Sequence, residues 1–88
     1  MIKTTITVSN KAGLHARTAA KLVSTASAFT STMEIGNEEK MVDAKSILAI
    51  MLLAAGQGSE LDVIIDGPDE EEALKAIQAL VESRFGEE

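Results

Sequence analysis

From Ile2 to Val8 the chain alternates, with Ile2, Thr4, Ile6 and Val8 on one side and Lys3, Thr5 and Thr7 on the other. That two-residue period predicts a strand with one buried face. After the polar loop Ser9-Asn10-Lys11-Ala12-Gly13 the spacing changes. Ala16, Ala19, Ala20, Val23 and Ala26 recur at helical intervals and mark the buried stripe of a helix running to about Ser27. Ser31 to Ile35 and Lys40 to Val42 read as two short strands around Gly36-Asn37-Glu38-Glu39, with Met33 and Ile35 pointing inward. Ser46 has the chemistry of an N-cap for a second helix over Ile47 to Ala54, which Ala55-Gly56-Gln57-Gly58 ends. Leu61, Val63 and Ile65 alternate with Asp62, Ile64 and Asp66 as a fourth strand, stopped by Gly67-Pro68. A third helix starts at Asp69, an expected N-cap with Glu72 in the reciprocal position and Glu70 and Glu71 complementing the dipole. Its buried face is read as Ala73, Leu74, Ile77, Leu80, Val81 and Phe85, and Gly86 closes it.

The order strand, helix, strand, strand, helix, strand, helix implies an α+β fold: an antiparallel sheet with its helices gathered on one face. Periodicity leaves the strand order open. With 88 residues and 45% apolar content, the expectation is a single domain over 1–88 with one two-layer core.

Composition removes whole classes of chemistry. There is no cysteine and one histidine, so disulfides, thiol catalysis and a cysteine or histidine metal site are not expected. No cofactor is called for. A formal charge of −6 and the lack of Trp and Tyr argue against nucleic acid, which needs a basic patch and stacking platforms. The apolar run Ile47 to Ala55 is too short to span a bilayer, and the N-terminus lacks a charged segment followed by an apolar one. The expectation is a cytoplasmic protein. Charge is uneven: Asp66 to Glu72 and Glu82 to Glu88 hold much of the acid, while Lys3, Lys11, Arg17 and Lys21 lie in the first half. Either the end bearing these cations meets an anion, or they are ordinary solvated charges.

The histidine is in Gly13-Leu14-His15-Ala16-Arg17, where loop turns into helix. A helix start offers backbone N–H groups without intrahelical partners at the positive end of the dipole. A neutral imidazole placed there can accept a phosphoryl group, and Arg17 can offer a planar fork of donors to its oxygens. The plain alternative is a surface or hydrogen-bonded structural histidine.

Three stretches together carry a resemblance: Gly13-Leu14-His15-Ala16-Arg17, Asp43-Ala44-Lys45-Ser46-Ile47 and Gly67-Pro68-Asp69-Glu70-Glu71-Glu72-Ala73. At this spacing the chain resembles the histidine-containing phosphocarrier proteins, the HPr family of the bacterial phosphoenolpyruvate-dependent phosphotransferase system, over essentially its whole length. The resemblance implies an open-faced β-sandwich, βαββαβα, with strands in order 1-4-2-3 under three helices. It implies a phosphoryl carrier, not an autonomous enzyme, that takes a phosphoryl group on His15 from Enzyme I and passes it to IIA proteins. Arg17 would neutralise the phosphoryl oxygens, and Ala16 and Arg17 would add backbone amides. The family commonly has proline after that arginine; here Thr18 restores an N–H and adds a hydroxyl, a departure that bears on the rigidity of the helix start.

By the same resemblance Ser46 is a regulatory phosphorylation site for HPr kinase/phosphorylase; an ordinary helix cap is the alternative reading. Ile47, Leu48, Ile50, Met51, Leu52 and Leu53 are apolar on almost every side of their helix, so some are expected at the surface unless loops cover them. The resemblance points to Ile47, Leu48 and Met51 as the docking surface, with the protein working as a monomer. Two other readings stand beside the carrier: a mainly regulatory component for nitrogen or carbon control, and a non-covalent small-ligand binding module.

Overall fold

In the computed structural model residues 1–86 are described. Glu87 and Glu88, part of the expected 1–88 unit and of the acidic C-terminal run, lie outside the described residues. The elements are β1 (Ile2–Thr7), α1 (Ala16–Ser27), β2 (Thr32–Asn37), β3 (Lys40–Asp43), α2 (Ile47–Leu52), β4 (Glu60–Asp66) and α3 (Glu70–Glu82), followed by a 3₁₀ turn, Arg84–Gly86. The four strands form one antiparallel sheet in the order β1-β4-β2-β3. This is the α+β open-faced sandwich expected from the resemblance.

Strand alternation sets which face is covered. Ile6, Met33, Ile35, Leu61, Val63 and Ile65 are buried, whereas Lys3, Thr5, Thr7 and Glu34 are exposed. Ile2 opposite Ile65, Met33 opposite Ile65 and Ile35 opposite Val63 put apolar side chains side by side on the inner face. α1 and α3 pack together, α3 lies on β1 and β4, and α2 packs against α1 and β3. The sealed layer includes Leu22, Ile50, Ile77 and Phe85, each wholly buried and each worth about 1.5–3 kcal/mol in apolar burial.

Three local features differ from the expectation. First, α1 buries Thr18, Ala19, Leu22 and Ala26, while Ala16 and Ala20 are exposed; the apolar stripe is rotated by about one residue from the alanine pattern. Alanine fits either face of a helix, and the one large side chain, Leu22, sets the phase. Second, the hairpin turn is only Glu38-Glu39, because Asn37 pairs with Lys40 and its Oδ1 accepts from the amides of Glu39 and Lys40 at 2.9 and 3.0 Å. Third, Asp69 stands at the N-cap of α3 without capping it. Its carboxylate accepts instead from the amides of Thr30 and Ser31, each at 2.9 Å, and from the Ser31 hydroxyl. These three donors hold its pKa down at about 2, the Ser31 hydroxyl contributing most and the Thr30 amide next. Gly67 makes the approach possible: a Cβ there would lie 2.6 Å from the Ser31 Cα.

The C-terminal end also departs from simple helical periodicity. α3 stops at Glu82, and Arg84 and Phe85 take φ of 55° and 57°. This left-handed turn swings Phe85 back into the core, and Lys21 Nζ donates to its carbonyl at 2.7 Å.

Candidate functional site

The loop before α1 is held on three sides. Asn10 is buried, and its Nδ2 donates to the carbonyl of Gly13 at 2.9 Å. Gly13 has φ of +72°, and a Cβ there would lie 2.5 Å from the carbonyl oxygen of Ala55. That carbonyl accepts the amide of Leu14 at 2.8 Å, and the Leu14 side chain is buried. The chain therefore reaches His15 along a fixed path.

His15 is the N-cap of α1, with φ of −103° and ψ of −175°. Its carbonyl accepts the first helical bond, from the amide of Ala19 at 2.8 Å. Its Nδ1 accepts from the amide of Arg17 at 3.2 Å, the task that Ser, Thr, Asp or Asn usually performs at a helix start. An imidazole in that role is an uncommon choice, and such local departures cluster at functional sites. The bond also orients the ring: a nitrogen that accepts an N–H carries a lone pair, so the proton of the neutral ring belongs on Nε2. The side of the ring that faces the positive end of α1 is thus the nucleophilic one. No acidic residue lies in the first turn of α1, in contrast to Glu70, Glu71 and Glu72 in that of α3. The field at His15 therefore favours an anion.

Residues 2–83 match the family described as the PTS HPr component phosphorylation site. The chain belongs to the HPr family of phosphotransferase-system phosphocarriers. The phosphocarrier protein HPr of Cupriavidus necator is 48% identical over 87 residues, 99% of this chain and 98% of that protein. The crystal structure of HPr-C-His from Thermoanaerobacter tengcongensis superimposes with a TM-score of 0.94 at 50% identity, covering 100% of this chain and 99% of that one. An HPr dimer from the same organism matches with a TM-score of 0.78 at 49% identity, over 99% of this chain and 100% of that one.

Against this HPr frame the other candidate residues take definite places. Ala16 and Arg17 are exposed at the start of α1, beside the half-buried His15. Thr18 is the opposite of a loose substitute for proline. It is wholly buried, its Oγ1 accepts from the amide of His15 at 3.0 Å, and its hydroxyl donates to the carbonyl of Gly13 at 2.8 Å. The helix start is tied down by that hydroxyl.

Ser46 caps α2, its Oγ accepting from the amide of Ala49 at 3.4 Å, a long and correspondingly weak bond. Of the apolar run, Ile50 is buried and Leu53 half-buried. Ile47, Leu48, Met51 and Leu52 are exposed, Leu48 and Leu52 by 72% each. A six-residue helix can turn only one side to a two-layer core, so the rest of its apolar surface stays outside. Leu52 was not distinguished as a surface residue by the sequence pattern, and its hydrophobicity gave no signal of which way it faced.

No group of three or more His, Asp or Glu among the described residues is placed to hold a metal ion. None of their helices is long and apolar enough to cross a membrane.

Proposed function

We propose that His15 accepts a phosphoryl group on Nδ1 from phosphorylated Enzyme I and hands it to IIA proteins, in sugar uptake or its regulation. The observation that carries this reading is the Nδ1 lone pair turned to the amide of Arg17 at the start of α1. As the ring attacks, an N–P bond forms at Nδ1 while the bond from phosphorus to the donor breaks. The Arg17 amide turns from the ring to a phosphoryl oxygen, and the Arg17 guanidinium and the Ala16 amide add further positive charge. The helix supplies the charge stabilisation; bond making and breaking are a matter of position. No resident cofactor enters, and the protein is a carrier that its partner enzymes modify, a single unit working as a cytoplasmic monomer.

Partial exposure of His15 suits a protein partner better than a small ligand. The groove of about 360 Å³ on the open side of the sheet is lined by Lys3, Thr5, Asn37, Met41, Asp62 and Ile64 among others, and His15, Arg17 and Ser46 have no part in it. Ile47, Leu48 and Met51 supply an apolar docking surface, with methionine adaptable to several partners. Ser46 adds control: phosphorylation by HPr kinase/phosphorylase would put negative charge at the edge of that surface and oppose an acidic partner.

The test is transfer of labelled phosphate from phosphoenolpyruvate through Enzyme I. Wild type gains an acid-labile label, and His15→Ala gains none while keeping its fold by circular dichroism. Full labelling of folded His15→Ala would overturn the assignment.

A further inference from the structure

We propose that the Thr18 hydroxyl is a positioning group for His15, holding the backbone from which the imidazole is aimed. This role rests on His15 being the phosphoryl acceptor. Thr18 Oγ1 carries one hydrogen. The 2.8 Å contact to the carbonyl of Gly13 takes that hydrogen, which leaves a lone pair for the His15 amide at 3.0 Å. The hydroxyl therefore bridges the residue that ends the loop turn and the residue that starts the helix. Gly13's carbonyl has a second donor in Asn10 Nδ2 at 2.9 Å and a more distant one in the His15 amide itself, at 3.2 Å across a three-residue turn. Loss of the hydroxyl thus bears chiefly on the His15 amide.

Two reciprocal bonds then define the acceptor geometry. The side chain of His15 takes the amide of Arg17, and the side chain of Thr18 takes the amide of His15. The first sets which nitrogen faces the helix; the second sets the backbone from which the ring projects. Because Thr18 is wholly buried, its oxygen is not simply exchanged for solvent, and without it the His15 amide keeps only the longer contact to the Gly13 carbonyl, a weaker hold that lets the loop shift. Small errors of position at a reacting centre are expensive in rate. Threonine's methyl fills the core under α1 while its oxygen serves the loop, so packing and positioning can be separated by substitution.

Thr18→Val keeps the shape and removes the hydroxyl, and Thr18→Ser keeps the hydroxyl and removes the methyl. Labelling by phosphoenolpyruvate and Enzyme I is followed by rapid quench, and the His15 ring nitrogens of the unphosphorylated proteins are read by ¹⁵N NMR with the ring neutral. Thr18→Val is expected to reach the same final labelling about tenfold more slowly, with its Nδ1 signal moved toward the protonated tautomer. Thr18→Ser is expected to restore both rate and signal even though it loses core packing. Ile77→Val, a core substitution in α3 that touches none of the loop's hydrogen bonds, is expected to lower stability and leave the rate alone. Should valine not fold, Thr18→Ala makes the same comparison with serine. A wild-type rate in folded Thr18→Val, or a slow Thr18→Ser, overturns the positioning role alone. Absence of label on wild type overturns the carrier reading and this role with it.

Discussion

The amide of Leu14 donates to the carbonyl of Ala55 at 2.8 Å, so the residue before His15 is fastened to the segment just beyond α2. His15 and the exposed apolar helix are in this way tied to each other through the backbone. Under the proposed function, a partner docked on α2 would meet a ring whose supporting loop is already fixed.

Gly13 makes that fastening possible, and Gly13→Ala should break it. A side chain there meets the Ala55 carbonyl and must also hold a left-handed φ. The cost expected is at least about 2 kcal/mol, measured as a lower urea midpoint, together with slower phosphoryl acceptance.

Leu48→Glu should leave stability within about 0.5 kcal/mol of wild type, as expected for an exposed position. It should raise the apparent KM for Enzyme I by about tenfold, the scale of an apolar interface residue. Urea unfolding checks the first half and titration of the variant at fixed Enzyme I and phosphoenolpyruvate the second, and an unchanged KM would remove Leu48 from the docking surface.

Ser46→Ala should cost only about 0.5 kcal/mol, the low end for loss of a cap, because the bond to Ala49 is already long at 3.4 Å. Thermal unfolding measures it. Ser46→Asp should keep the fold and slow acceptance from Enzyme I, the outcome expected if charge at this cap opposes docking.

Acid should loosen the contact between α3 and the turn before β2. Asp69 has its pKa lowered from 3.8 to about 2, first by the Ser31 hydroxyl and then by the Thr30 amide. Because the folded value is the lower one, its contribution is complete above the unfolded pKa and disappears as pH falls from about 4 through about 2. Asp69→Asn should therefore flatten the stability profile in that window, which urea titrations at a series of pH values would reveal.

Much of this arrangement was legible in the sequence, for physical reasons that also mark where legibility ended. β1 and β4 alternate cleanly because one face of the sheet is buried and the other open, and Ser46 and His15 stand where an N-cap must stand. The order β1-β4-β2-β3 came from resemblance, since alternation assigns faces and not neighbours. Thr18 reads as a departure from the family's proline that bears on the rigidity of the helix start, and nothing in the sequence shows that its hydroxyl is buried and bonded to the loop. Phe85 was assigned to the face of α3 by spacing, but a left-handed turn delivers it to the core from a different direction. Asp69 was read as a local cap, and the donors that claimed it come from the turn before β2, distant in sequence.

The place of β4 between β1 and β2 has a consequence for how the chain is made. β2 and β3 meet through a two-residue turn soon after they are synthesised, but β1, the first strand out, pairs only with β4. The nascent chain must carry an open β1 edge until Asp66 has emerged, and closing so long a loop carries an entropic cost that the β2–β3 hairpin does not. A transcript cut short before β4 would therefore lose the centre of the sheet and release its first strand to pair with another chain.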